Sequence, residues 1–222
     1  MESSEIIEHY PLLYHMAEAS SWDSISQHGL LSTRSLIDLF ELNGDAQDAI
    51  LRTRRPASVP LHHDVYGDAV VRDQIPLNES RLAACLTDMT LEEWLDALNS
   101  RVFFWLDEDH LETLLGAREY RDDEHDVITV DTARLLDRHA DRVTLSPINS
   151  GATMYKPPPR GRNTFLPIAS YPFDERRRAR GVGNAIVELA VDGGVPDIRD
   201  VAVRVERRRA GAGGAVIWEL ES

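Results

Sequence analysis

The chain has 222 residues, a single cysteine, and 24 Lys+Arg against 38 Asp+Glu, a formal net charge of −14. One cysteine excludes an intrachain disulfide and any multi-cysteine metal site. The acidic balance argues against passive, nonspecific nucleic-acid binding, which needs a basic footprint. At 42 % hydrophobic, the chain is long enough to bury a core unaided, and one globular domain over residues 1–222 is expected. No apolar run approaches the roughly 20 residues of a membrane span. The acidic opening Met1-Glu2-Ser3-Ser4-Glu5 lacks the basic start of a signal peptide, so a cytoplasmic protein is expected.

In chain order, Leu12-Leu13-Tyr14-His15-Met16 is a compact apolar run of strand length. Ser20-Ser21-Trp22-Asp23 offers N-caps for a short helix that Gly29 closes. Residues 35–42 and 45–56 read as two further helices, and residues 57–78 as loop with short extended pieces. Residues 79–87 suit a helix. Thr90 and Glu93 form a capping box that opens the helix through Trp94, Leu95 and Leu98. Val102-Phe103-Phe104-Trp105-Leu106 is the strongest strand signal in the chain. Asp107-Glu108-Asp109 places negative charge at the start of the next helix, where the dipole favours it.

Residues 127–130 then read as a strand, 132–139 as a helix and 143–145 as a short strand. Residues 146–183, rich in Pro, Gly and Arg, read as one long irregular segment, a length that usually signals function or disorder. Residues 184–191 form a strand, Gly193-Gly194-Val195-Pro196 a turn, and residues 201–207 and 215–220 a final extended pair. Helices and strands mix without strict alternation, so the fold class is α+β. The charge is uneven: residues 1–153 hold 12 basic and 29 acidic residues, residues 154–222 hold 12 and 9. A polarised molecule of this kind can still offer a local anion-binding face.

None of the common nucleotide-loop, zinc-helix or nucleophile-elbow motifs is present. His62-His63-Asp64 reads as a polar loop, because adjacent residues of an extended chain point apart and seldom share an ion. Cys85 lies in the apolar run Leu82-Ala83-Ala84-Cys85-Leu86 and reads as a packing residue. Two residues stand out. His15 ends an apolar strand, where it is either a satisfied core side chain or a ligand-binding one. Glu188 interrupts the apolar run Ala185-Ile186-Val187-Glu188-Leu189-Ala190-Val191. Either it points outward with Asn184 from a half-exposed strand, or it is a buried site carboxylate, which is costly unless paired.

Leu13-Tyr14-His15-Met16, followed by Trp22-Asp23-Ser24-Ile25-Ser26-Gln27-His28-Gly29-Leu30-Leu31-Ser32, resembles the opening of ADP-ribosyltransferase-fold proteins, in particular the DarT-type DNA-base ADP-ribosyltransferases and the NAD-dependent RNA phosphotransferases. The aromatic strand at 102–106 is similar to the central strand of that fold. Glu188 through Ile198 resembles the DarT segment in which the catalytic Glu opens an apolar strand. The pattern implies a bacterial family related to those enzymes at a distance. The segment 57–80 has no counterpart in it.

The resemblance implies a split β-sheet core with peripheral helices and NAD as substrate. It implies that Glu188 is catalytic, holding the nicotinamide ribose and stabilising the oxocarbenium-like state. His15 would bind the adenosine ribose, Phe103 or Phe104 would stack on nicotinamide, Arg34 would bind the pyrophosphate, and Ser32 would also belong to the cofactor site. The segment 146–183 would meet the target, with Arg160 and Arg162 suited to a phosphate-bearing nucleic acid. A noncatalytic NAD- or nucleotide-binding module, or a protein-interaction role on the same fold, is the alternative.

Overall fold

A computed structural model describes residues 1–221. The fold is mixed α+β, as its sequence pattern requires, and its centre is one large antiparallel sheet. The first half of the chain comprises α1 (Ser3–His9), β1 (Leu12–Glu18), α2 (Trp22–His28), β2 (Leu30–Leu31), α3 (Thr33–Leu39), α4 (Gly44–Leu51), β3 (Val59–His63), β4 (Gly67–Val71), α5 (Glu79–Cys85), α6 (Leu91–Asn99) and β5 (Arg101–Trp105). It continues with α7 (Glu108–Leu115), β6 (His125–Asp131), α8 (Thr132–His139), β7 (Val143–Ser146), β8 (Leu166–Pro167), α9 (Phe173–Arg180), β9 (Glu188–Asp192), β10 (Gly194–Val195), α10 (Ile198–Val201), β11 (Ala202–Arg208) and β12 (Ala215–Glu219). No helix among the described residues is long and apolar enough to cross a membrane.

The sheet runs β12-β11-β6-β1-β5-β9-β7-β8. Its central ladders are long except at one seam. β1 pairs with β6 over its whole length, and β5 pairs with β9 from Arg101–Asp192 to Trp105–Glu188, but β1 and β5 meet only at Tyr14–Trp105. Beyond that pair the two half-sheets diverge and leave backbone groups that a continuous ladder would have satisfied. Side chains take them over. His15 Nδ1–H donates to the Phe103 carbonyl at 2.8 Å, and Arg72 Nη1 donates to the Met16 carbonyl at 2.6 Å.

Strand alternation sorts the rest. Leu13, Val102, Phe104, Ile128 and Val130 point to one face and join the main core against α1, α8 and α10. Phe103 and Trp105 point to the other face, which three smaller apolar clusters cover. Around Trp105 lie Met16, Leu111, Leu115 and Tyr120. Around Phe103 lie Trp94, Leu95 and Phe165. The third cluster joins α3 and α4 to the β3–β4 hairpin through Ile37, Phe40, Leu51, Leu61 and Val71. The space between these clusters, at the mouth of the seam, is a cleft.

Several elements differ from the sequence reading. Residues 57–78 hold a regular antiparallel hairpin, β3–β4, in register from Val59–Val71 to His63–Gly67. The segment 146–183 is not one irregular loop. It carries β8, α9 and three short 3-10 turns, and Arg160 N–H donates to the Cys85 carbonyl at 2.9 Å while Thr87 N–H donates to the Arg160 carbonyl at 3.0 Å. The strand expected over 184–191 begins only at Glu188, after a 3-10 turn at Val182–Asn184.

Candidate functional site

Glu188 opens β9 and is 4 % exposed. It therefore does not face solvent from a half-exposed strand. Both carboxylate oxygens accept from the Ser150 amide at 3.1 Å. The Ser150 carbonyl in turn accepts from Arg160 Nη1 at 2.9 Å. Burial pushes the Glu188 carboxyl up to about 7, against the pull of the Ser150 hydrogen bonds and the Arg160 charge. At neutral pH the group is therefore only partly ionised.

His15 is recessed at the seam. Because a carbonyl only accepts, the bond to Phe103 fixes the proton on Nδ1 and leaves Nε2 as an acceptor facing the cleft. Burial lowers its pKa to about 4, the Phe103 carbonyl opposes that shift, and Arg72 adds to it, so the imidazole is neutral at physiological pH. Phe103 lines the same cleft, on the face of β5 that carries Trp105 and opposite Ala190 of β9.

The cleft has a volume of about 490 Å³ and brings His15, Phe103 and Glu188 together with the Asn149–Gly151 turn. Its far walls come from residues that sequence reasoning did not single out for the site: Trp105, Arg101, Tyr120, Arg72-Asp73-Gln74, Arg55 and Asn99. Tyr120 OH donates to Asp73 Oδ1 at 2.7 Å, and the Arg72 guanidinium stacks over the Tyr120 ring at 4.8 Å. The walls are largely apolar with a few convergent polar groups, the composition of a small-molecule site.

Five other expected site residues lie elsewhere. Phe104 is 0 % exposed in the main core, because strand alternation turns it away from Phe103. Ser32 is buried as the N-cap of α3, where Oγ accepts from Ser35 N–H at 3.1 Å. Arg34, one residue into that helix, points out to Asp96 of α6. Arg162 is exposed and pairs with Glu93 at 2.7 Å. Arg160 is 2 % exposed, with its guanidinium on Ser150 O and Pro158 O and facing the Trp94 ring, so it holds the Glu188 turn in place and is not presented to a target. A sequence signal for Trp105 was available, since it shares a strand face with Phe103. None was available for Arg55 or Asn99, which the α4–α6 packing alone brings to the cleft.

No curated protein and no solved structure matches the chain. The model of a family of unknown function (DUF7002) matches residues 11–202, most of the chain, and the protein belongs to that family.

Proposed function

We propose that the protein is an NAD-dependent ADP-ribosyltransferase whose active site is the cleft at the β1–β5 seam. The observation that carries the reading is that His15, Phe103 and Glu188, far apart in sequence, line one cleft where the sheet parts. Their chemistry fits the dinucleotide. His15 Nε2 is a neutral acceptor suited to a ribose hydroxyl. Phe103 offers a ring face on the cleft side. Glu188 is a carboxylate held by one amide, so its remaining lone pairs can accept from the nicotinamide ribose 2′-OH.

In this reaction the C1′–N bond to nicotinamide breaks and its electron pair neutralises the pyridinium. A nucleophile on the acceptor, a nucleic-acid base or another side group, forms the new bond to C1′ and releases its proton to Glu188 or to water. In its ionised form the carboxylate opposes the positive charge that develops on the ribose, an effect worth several kcal/mol when the group is preorganised and dry.

The test is nicotinamide release from NAD, with and without a nucleic-acid pool, read by chromatography. Wild type should release nicotinamide, and Glu188→Gln should lose at least about a hundredfold while keeping its fold and its NAD affinity. Equal turnover by Glu188→Gln removes Glu188 from the chemistry. NAD binding without any release in wild type favours a noncatalytic NAD-binding module.

A further inference from the structure

Among the described residues, two arginines are almost completely buried without an ion pair, and they differ in one respect. Arg160 is held by the Ser150 and Pro158 carbonyls, and its Nη2 is fully enclosed. Arg55 is 5 % exposed and lines the cleft. Its fork is held by neutral acceptors only: Nε donates to the Arg72 carbonyl at 2.9 Å, and Nη1 donates to the Ile50 carbonyl at 2.7 Å and to Asn99 Oδ1 at 2.9 Å. Asn99 is itself fixed by donating to the Leu51 carbonyl at 2.8 Å. Nη2 has no hydrogen-bond partner among the described residues and is not sealed off. No carboxylate lies within 4.0 Å of the guanidinium among the described residues, and Asp73, whose charge it feels, is engaged by Tyr120 and the Ile75 amide.

A buried guanidinium without a counter-ion is expensive. Capping the carbonyls at the end of α4 is a small benefit and does not offset that cost. A rigid fork with an open donor in a largely apolar cleft is the arrangement that recognises an oxyanion. We propose that Arg55 is an anion-recognition residue of the cleft and that its ligand is a phosphoryl group, which completes the missing ion pair. The inference shares the cleft with the NAD reading but does not require it. The phosphoryl group is either the diphosphate of the dinucleotide or a phosphate of the acceptor.

The experiment is calorimetric titration of the full chain with three probes: inorganic pyrophosphate, NAD and a 5′-phosphorylated single-stranded trinucleotide. Wild type, Arg55→Gln and Arg52→Gln are compared, Arg52 being exposed and paired with Asp48. Pyrophosphate should bind wild type, bind Arg52→Gln equally well, and bind Arg55→Gln at least about tenfold more weakly, the loss expected of a charge-assisted hydrogen bond. A matching loss for NAD assigns the phosphoryl group to the dinucleotide, and a loss for the trinucleotide alone assigns it to the acceptor.

Pyrophosphate bound while NAD is silent removes the NAD reading and keeps the subsite. NAD bound equally by wild type and Arg55→Gln, with pyrophosphate silent, does the reverse. If Arg55→Gln does not fold, the Arg55 Nε–H resonance of wild type is followed by NMR through the pyrophosphate titration. A saturable shift supports the subsite, and an unmoved resonance overturns it.

Discussion

Glu188 and His15 are displaced in opposite directions by the same burial, and the consequence is a pair of opposed pH dependences. Folded Glu188 titrates near 7 and unfolded Glu188 near the ordinary 4.5, so between those values only the folded chain holds the proton. Its contribution to stability is complete below pH 4.5 and lost as pH rises through 7, roughly 3 kcal/mol in all. Folded His15 titrates near 4 and unfolded His15 near 6.5. Its contribution is complete above 6.5 and lost as pH falls through 4, again about 3 kcal/mol. From pH 4.5 to 6.5 the two slopes cancel. Denaturant unfolding of wild type should therefore show little dependence on these groups across that window. Glu188→Gln should gain stability as pH rises from 4 to 6.5 and exceed wild type by about 3 kcal/mol at pH 8, whereas His15→Gln should lose stability as pH rises from 4.5 to 7. Variants that track the wild-type profile would show that neither group is held away from its ordinary pKa. Glu188 was legible because a carboxylate in an apolar run has to be explained. Arg55 was not, since a basic residue after a helix is ordinary and only tertiary packing buries it.

At the scale of elements, the wall of the cleft formed by α2 and β2 is clipped to the end of β9 by the two-residue β2–β10 ladder, Leu30–Val195 and Leu31–Gly194. The clip depends on two glycines. Gly29 has φ +90°, and a Cβ there would lie 2.5 Å from Pro196 Cα; Gly194 has φ +111°, and a Cβ would run into Leu30 O and lie 2.8 Å from Leu31 Cα. Backbone meets backbone in both cases, so nothing flexible can yield. Gly194→Ala should cost roughly 2–5 kcal/mol, from strain at positive φ together with overpacking, and lower Tm by about 5–15 °C. Gly211→Ala, also at positive φ but in open space, should cost no more than about 1–3 kcal/mol. Equal melting temperatures for the two variants would mean that the clip is not packed as described. A second element-level prediction concerns the turn that holds Glu188. Arg160→Ala removes the donor to the Ser150 carbonyl and should destabilise by about 1–3 kcal/mol, the cost of leaving a buried acceptor unsatisfied. Any activity should fall with it, while Arg162→Ala, which loses only an exposed pair, should change stability by less than about 1 kcal/mol. The elements missed in the sequence share a cause. Phe173–Arg180 has a single buried residue and therefore no apolar period to read, and Pro60 with the following histidines disguised a strand whose only buried side chain is Leu61.

For the whole molecule, the charge division of the sequence now has a spatial form. Of the cations between 154 and 180, Arg160 is buried, while Arg162 and Arg177 are paired with Glu93 and Asp174. Lys156, Arg176, Arg178 and Arg180 have no carboxylate partner among the described residues. For a nucleic-acid acceptor held by this segment, those four cations set a ceiling on how strongly its backbone can be bound. Each phosphate neutralised on a single strand contributes about −0.7 to the slope of log Kobs against log salt, so the slope should be no steeper than about −3. Duplex DNA lacking an accepting base should not be retained at all, because the acidic remainder of the surface repels it. Fluorescence anisotropy over a salt series on single-stranded and duplex oligonucleotides measures both quantities. A slope near −6 would require cations outside this segment and would end the case for a small target held by it alone. A shallow slope whose affinity collapses when Arg176, Arg178 and Arg180 are changed together to Gln would instead place the acceptor beside α9, the helix that precedes the strand carrying Glu188.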